Sequence, residues 1–448
     1  MQNAHDFMKT KPVFPLLLSM AAPMMLSMLI QSLYNIVDSI FVSRLGTEAL
    51  TAVSLVYPLQ NIVLSFSVGI GVGINSVIAR MLGEKKFQEA DKAAATGMLL
   101  TLFHYILIAA LGCAATRPFI RLFTSDPQTL TWACQYGYIV LGLCAGSLFA
   151  VCFEKIFQAV GAMMMTMAAL LIGCITNIIL DPIFIFGYFG VPAMGVAGAA
   201  VATVIGQFFS LFAYILFYLR RDIGVRIRLG GAGLDRKTVS QIYTVGIPSS
   251  LMLAIPSLMS GVLNSMLAAF SDVYVAVLGV YIKLQTFLYT PASGIIQAMR
   301  PIAGYNYGAG EYQRLREVVR YSMAMTAVIM LAGTLAAQLL PEQIFALFQT
   351  EGGEELTAPG VQTLRIVSLG FLVSSISVAC SGLFEALGCG KKSLCITLLR
   401  QLVILVPLGF LLSRFFGPAG IWACFPISEA VAALVSVRLY QGLGLKKE

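Results

Sequence analysis

Charge is what this sequence has least of. Asp, Glu, Lys and Arg make up 11% of its 448 residues, against 58% hydrophobic residues, and mean hydropathy is +0.86. A soluble domain carries about 25% charged residues. The chain therefore has too little polar surface to face water, and it reads as an all-α integral membrane protein. Histidine is equally scarce. Only His5 and His104 are present, which leaves histidine-based metal or acid–base chemistry without a basis. His104 sits in an apolar stretch and is expected to be a hydrogen-bonded interior residue. The nine cysteines are scattered through apolar segments with no zinc or disulfide spacing, so they read as small packing residues. No constellation of His, Cys or carboxylate at the membrane surface suggests an enzyme. No cofactor is expected beyond a coupling ion.

What is present in abundance is membrane-length apolar sequence. About 20 apolar residues span a bilayer as a helix. Twelve such spans are predicted, near 13–43, 50–79, 93–116, 132–153, 166–187, 195–219, 240–268, 273–299, 318–340, 360–384, 394–413 and 418–438. Lys9 and Lys11 precede the first run, as in a signal peptide. That run is too long for an h-region and lacks a small-residue cleavage site, so it reads as a retained helix, with Pro23 a candidate kink.

The net charge of +8 does not point to nucleic acid, because its distribution follows the loops. Arg80, Lys85, Lys86 and Lys92, then Lys155, then Arg220, Arg221, Arg226, Arg228, Arg236 and Lys237 occupy alternate loops. Arg300, Arg314, Arg316, Arg320, Lys391 and Lys392 continue the series, and both termini join it through Lys9, Lys11, Arg438, Lys446 and Lys447. The opposite loops hold Arg44, Arg117, Arg121 and Arg414, and one carries Glu342, Glu351, Glu354 and Glu355. The positive-inside rule then puts both termini and the 220–238 segment in the cytoplasm.

A 225-residue shift lays the first half on the second. Pro23 falls on Pro248, Gln60 on Gln285, Gly69 on Gly294, Gly83 on Gly308 and Gln88 on Gln313. Six helices per half is an even number, so both halves enter the membrane from one side. The repeats are therefore expected to be parallel, related by a pseudo-twofold along the membrane normal. The division this implies is a six-helix lobe over 1–219, a cytoplasmic linker over 220–238 and a second six-helix lobe over 239–448. Gly69, Gly71 and Gly73 imitate a nucleotide loop, but they lie within an apolar helix and read as close packing.

Ionisable side chains at membrane depth are expensive and mark function. In the first half these are Asp38 and Asp181. Gln31, Tyr34 and Asp38 share one helix face, and Asn177 and Asp181 share another. At the 225 shift Asp38 maps to Leu263 and Asp181 to Val406, so the acids belong to one half. Two neighbouring carboxylates in low dielectric favour uptake of a proton or, with Asn177, a Na⁺ ion. The second half carries Lys283, Glu385, Arg400 and Glu429. Burial argues for ion pairs, and the expected ones are Lys283 with Glu429 and Arg400 with Glu385, the alternative being Glu429 as a second coupling site. Glu154 and Lys155 are expected to reach water at the end of the fourth helix. Pro256, Pro291, Pro407 and Pro426 read as kinks.

Several stretches carry a resemblance. Tyr34-Asn35-Ile36-Val37-Asp38 followed by Gly46, the Arg80–Lys86 loop, TNIILDP over 176–182 and PIAGYNYGAG over 301–310 resemble the multidrug and toxic compound extrusion (MATE) family, closest to its DinF-like bacterial branch. The resemblance implies two six-helix lobes, alternating access, and export of amphiphilic, often cationic compounds in exchange for H⁺ or Na⁺. It implies a cation site at Asp38, Asn177 and Asp181, with Gln31, Tyr34 and Thr203 as neighbouring polar positions. It further implies small-molecule substrates, a monomer in the lipid bilayer, and the bacterial cytoplasmic membrane. A lipid-linked-saccharide flippase of the same superfamily is the alternative. An anionic head group would call for basic residues in the cavity of both lobes, whereas the deep first-half charges are acidic.

Overall fold

The computed structural model describes residues 6–228, 235–346 and 353–444. Every apolar run becomes a helix, because within hydrocarbon a helix satisfies all of its backbone polar groups internally. The spans are α1 (Val13–Ser43), α2 (Thr47–Gly83), α3 (Phe87–Arg121), α4 (Pro127–Gly142 and Ala145–Ala159), α5 (Met163–Phe186) and α6 (Val196–Arg220). The second series is α7 (Arg236–Ala268), α8 (Asp272–Gly308), α9 (Tyr312–Leu339), α10 (Thr357–Ala386), α11 (Gly390–Phe416) and α12 (Pro418–Gln441). Eleven are long and apolar enough to cross a membrane alone, and α4 makes twelve when its two pieces, bent by 43°, count as one span. His5, Glu351, Lys446, Lys447 and the 229–234 part of the expected linker lie outside the described residues.

Local chemistry sets the helix ends. Asp126 accepts from the Thr129 backbone N–H at 2.7 Å, with Pro127 in the first turn of α4. Asp235 caps α7 by accepting from Thr238 N–H at 3.1 Å. These bonds satisfy donors that a helix start otherwise leaves open; the Thr129 and Thr238 hydroxyls first, and these backbone bonds second, hold the exposed Asp126 and Asp235 carboxyls below their usual range. Pro23 lies inside an unbroken α1, where the Ser27 hydroxyl donates to its carbonyl at 2.7 Å.

The duplication is visible as contacts that exchange under the shift. Gly69 of α2 packs against Ser250 of α7, and Gly294 of α8 packs against Met25 of α1. Moving Gly69 forward by 225 and Ser250 back by 225 gives the second pair. Near the basic loops, Gly83 abuts the Tyr305 carbonyl while Gly308 abuts the Arg80 carbonyl, again the same contact with the halves interchanged. The next turns match too: Lys85 (φ 59°) stands where the other half has Gly310 (φ 75°). Reciprocal contacts of this kind are what a twofold relation requires.

Further along, the register moves. Gly161 and Gly388 end α4 and α10 in the same left-handed conformation, an offset of 227. Gly198 rests on the Phe184 carbonyl and Gly420 on that of Leu412, which puts α5 against α11 at 228 and α6 against α12 at 222. The one-residue gain within α11 coincides with a π-helical turn at Leu399–Val403, the usual form of a single insertion in a helix. Asp181 therefore corresponds to Gly409 rather than to Val406.

Contacts between the halves gather toward the basic loops. Ser76 Oγ donates to the Ala386 carbonyl at 3.1 Å, Tyr305 Oη to Asp6 at 3.0 Å and Asn306 Nδ2 to the Met8 carbonyl at 3.1 Å. His104 meets Tyr243 Oη at 3.1 Å, the interior hydrogen bond expected of it. Toward the other end Leu33 and Ile36 of α1 and Phe287 of α8 are exposed. Gly83→Leu and Gly308→Leu should each cost about 1–3 kcal/mol by overpacking against backbone. The thermal midpoint of detergent-purified protein should fall in both, and stay within error for Gly261→Leu, whose added carbon meets nothing.

Candidate functional site

The first-half acids converge. α1 carries Asp38 and Tyr34, α5 carries Asn177 and Asp181, and α6 carries Thr203, all brought together because α5 packs on both α1 and α6. The Asp38 and Asp181 carboxyls lie within hydrogen-bonding reach of each other. Asp181 is fully buried and Asn177 nearly so. With its amide oriented to satisfy both ends, Asn177 donates to Asp181 Oδ2 at 2.9 Å and accepts from the Thr203 backbone N–H at 3.0 Å. The Thr203 side chain meets both the Tyr34 and the Tyr136 hydroxyls. One acceptor is left over: Asp38 Oδ1 is buried without a partner. Among the described residues no base pairs with either acid, so the site is acceptor-rich and short of positive charge.

Two members escaped the sequence reading. Tyr136, buried on α4, joins through Thr203 and through Gln60 of α2. Tyr136 lies in an apolar helix with Tyr138 two positions on, and nothing in spacing distinguishes the interior ring from the exposed one. Gln60 stands out in sequence only by its recurrence at Gln285. Gln31, by contrast, is exposed on α1 and stands apart from this cluster.

The second-half charges pair, but not as expected. Arg400 Nε meets Glu429 Oε1 at 3.2 Å, and Ser377 Oγ donates to Glu429 Oε2 at 3.3 Å. Glu385 is held by Arg300 at 2.5 Å and by the Ser249 hydroxyl at 2.5 Å. Neither Lys283 with Glu429 nor Arg400 with Glu385 forms. In α11 Arg400 lies within the π-helical turn, where side-chain directions depart from those of a regular helix, and its guanidinium meets α12. Lys283 instead stands exposed on α8. A further correction concerns α4. Lys155 does not reach water but is buried at 3% exposure, with Nζ 2.7 Å from Glu154, 3.1 Å from Gln158 and 3.4 Å from Gln297 of α8.

The other motifs resolve as packing. Gly69, Gly71 and Gly73 face Ser250, Lys155 and the Ile242 carbonyl. The cysteines are unpaired, and Cys134, Cys144, Cys152, Cys174, Cys380 and Cys424 are buried.

Comparisons with known proteins agree with this geometry. The MatE family model matches residues 23–183 and again 248–411, once per half and with the same drift from 225 to 228. The multidrug export protein MepA of Staphylococcus aureus strain MSSA476 is 24% identical over 436 residues, covering 96% of this chain and 94% of its own. A multidrug resistance MATE family transporter of the MOP superfamily, solved in an outward-facing conformation, superposes with TM-score 0.88 at 28% identity, over 96% of this chain and 95% of its own. A MATE protein solved in a straight conformation gives TM-score 0.90 at 27% identity, over 98% of each chain.

Breaking the observed pair on one side leaves a buried charge alone. Glu429→Gln should therefore cost about 3–5 kcal/mol, and the double variant Arg400→Leu/Glu429→Leu should regain most of it. Thermal midpoints of the purified variants check this, with Glu385→Gln in the Arg400→Leu background showing no such rescue.

Proposed function

The chain belongs to the MatE family, a family of multi-span multidrug export transporters and not of enzymes, and from that premise we propose that it exports amphiphilic, cationic compounds in exchange for H⁺ or Na⁺, with Asp38, Asn177 and Asp181 as the coupling site. The observation that carries this reading is the buried Asp38–Asp181 pair, with an Asp38 oxygen unpartnered and no base beside it among the described residues. Two carboxyls at hydrogen-bond range repel when both are ionised, so the cluster is stable when it holds a proton or a small cation. Asn177 and Thr203 keep Asp181 in place from α5 and α6, while Asp38 rides on α1. Loading and unloading the site thus changes the free energy of docking α1 on α5. An ion that binds one packing better than another biases the equilibrium between them, which is the coupling that alternating access needs.

The finer assignments follow from the same cluster. Acid pairing confined to the first half, with Leu263 and Gly409 at the equivalent places in the second, favours the DinF-like branch. The basic loops put both termini in the cytoplasm of a bacterial cell, in its cytoplasmic membrane. The natural division is 1–219, 220–238 and 239–448, the two six-helix lobes working as a monomer. Tyr34, Thr203 and the added Tyr136 would line the way to the acids.

Ethidium efflux from proteoliposomes, under a pH gradient and a Na⁺ gradient imposed separately, tests the proposal and identifies the ion. Asp38→Asn and Asp181→Asn should each lower gradient-driven efflux at least tenfold, with ethidium binding retained. Undiminished coupled efflux in both variants would refute the site.

A further inference from the structure

Lys283 has no use in the scheme above, and its surroundings give it one. Among the described residues it makes no ion pair and no hydrogen bond with protein. Its expected partner, Glu429, is taken by Arg400. It lies eleven residues into α8, roughly 16 Å along the axis at 1.5 Å per residue, well inside the membrane span.

Its direction follows from the exposure pattern. In this stretch of α8, Ala276, Gly279, Lys283 and Phe287 are exposed, a spacing of three or four residues that marks one stripe of a helix. Eleven residues beyond Lys283 the same stripe reaches Gly294, and there Met25 of α1 packs on it. The stripe is therefore the face that α8 turns toward the first half, not toward lipid. The other sides of α8 are occupied by α2, α9 and α10. On α1 the stripe leading outward from Met25 carries Ser32, Ile36 and Ser39, which offer hydroxyls and a hydrocarbon side chain but no acid. Asp38 points from the opposite side of α1 into its own cluster.

An unpaired ammonium at this depth is tolerable only where it faces a water-filled cavity. The cleft between the halves thus has one positive wall, with Phe287 (73% exposed) a turn deeper and Ile36 (57% exposed) on the facing helix. We propose that Lys283 is a substrate-recognition residue that pairs with an anionic group, a carboxylate or phosphate, on an amphiphile entering the cleft, whose apolar body rests on Phe287 and Ile36. Together with the cation that the export reading requires, this anion makes the preferred amphiphile zwitterionic. The inference deepens the export reading and rests on it for the transport consequence, while the binding consequence stands alone.

Anisotropy titrations of detergent-purified protein separate the two. The probes are rhodamine B, which has a free carboxylate, and its ethyl ester, which lacks that charge. Lys283→Gln should weaken rhodamine B binding about tenfold and leave the ester within twofold, and Lys283→Arg should restore rhodamine B. A parallel titration compares fluorescent phosphatidylglycerol with fluorescent diacylglycerol, which lacks the phosphate. Selective loss there, with rhodamine B unchanged, would identify a lipid head group as the anion. Equal losses for the members with and without the anion in both pairs, or no loss in either, would overturn the assignment. If rhodamine B selectivity holds while the unmodified protein moves no ethidium under either gradient, the export reading falls and the anion site remains.

Discussion

The cost of placing charge in hydrocarbon governs this molecule. With no water to solvate it, an ionised side chain must find an opposite charge, a set of hydrogen bonds or an aqueous cavity. Glu385 takes Arg300 and Ser249, Glu429 takes Arg400 and Ser377, and Lys155 takes Glu154, Gln158 and Gln297. These bonds tie α8 to α10, α11 to α12 and α4 to α8. Two groups remain outside that scheme: the Asp38–Asp181 pair, which has excess negative charge, and Lys283, which has no partner. Charges left unsatisfied by the protein itself are those available to an ion or a ligand from outside.

A second constraint, the approach of backbone to backbone, decides how such sites can be worked. Gly83 against Tyr305 and Gly308 against Arg80 let α2 and α8 touch near the basic loops without side chains between them. Contacts of that kind are close but small, and the polar bonds around them are few. The halves are joined firmly at one end, while toward the other the exposed stripes of α1 and α8 face each other. A packed interface of this sort has discrete arrangements rather than a continuous range, so modest changes at the acid cluster can select between them.

Much of this was legible in the sequence. Apolar runs fixed the twelve spans to within a few residues at most ends, since bilayer thickness and helix rise leave little freedom. The acid site was legible through Asp38, Asn177 and Asp181, whose polarity stands out against apolar helices and whose spacing defines faces. What was not legible depends on rotation about a helix axis. The π turn at Leu399–Val403 leaves no mark in composition, yet Arg400 lies within it and pairs with Glu429, the partner expected for Lys283. Tyr136 and Gln60 were missed for a related reason, because their role depends on which side of α4 and α2 meets Thr203.

The corrected register gives the duplication its meaning. On the proposed reading, the first half needs a cation from solution to complete its acid cluster. The second half has Leu263 and Gly409 where those acids stand, so its equivalent volume is apolar and requires nothing. Its own intramembrane acid, Glu429, lies next to a guanidinium held on the same chain, and a tethered cation cannot leave when the bulk ion gradient changes. The deep acid of one half is consequently neutralised permanently and those of the other only conditionally. Since both share the same helix contacts at the basic end, a change in ion occupancy acts on one side of a nearly symmetric pair. On the proposed reading it is that imbalance, rather than the symmetry, through which an ion gradient drives the two halves against each other.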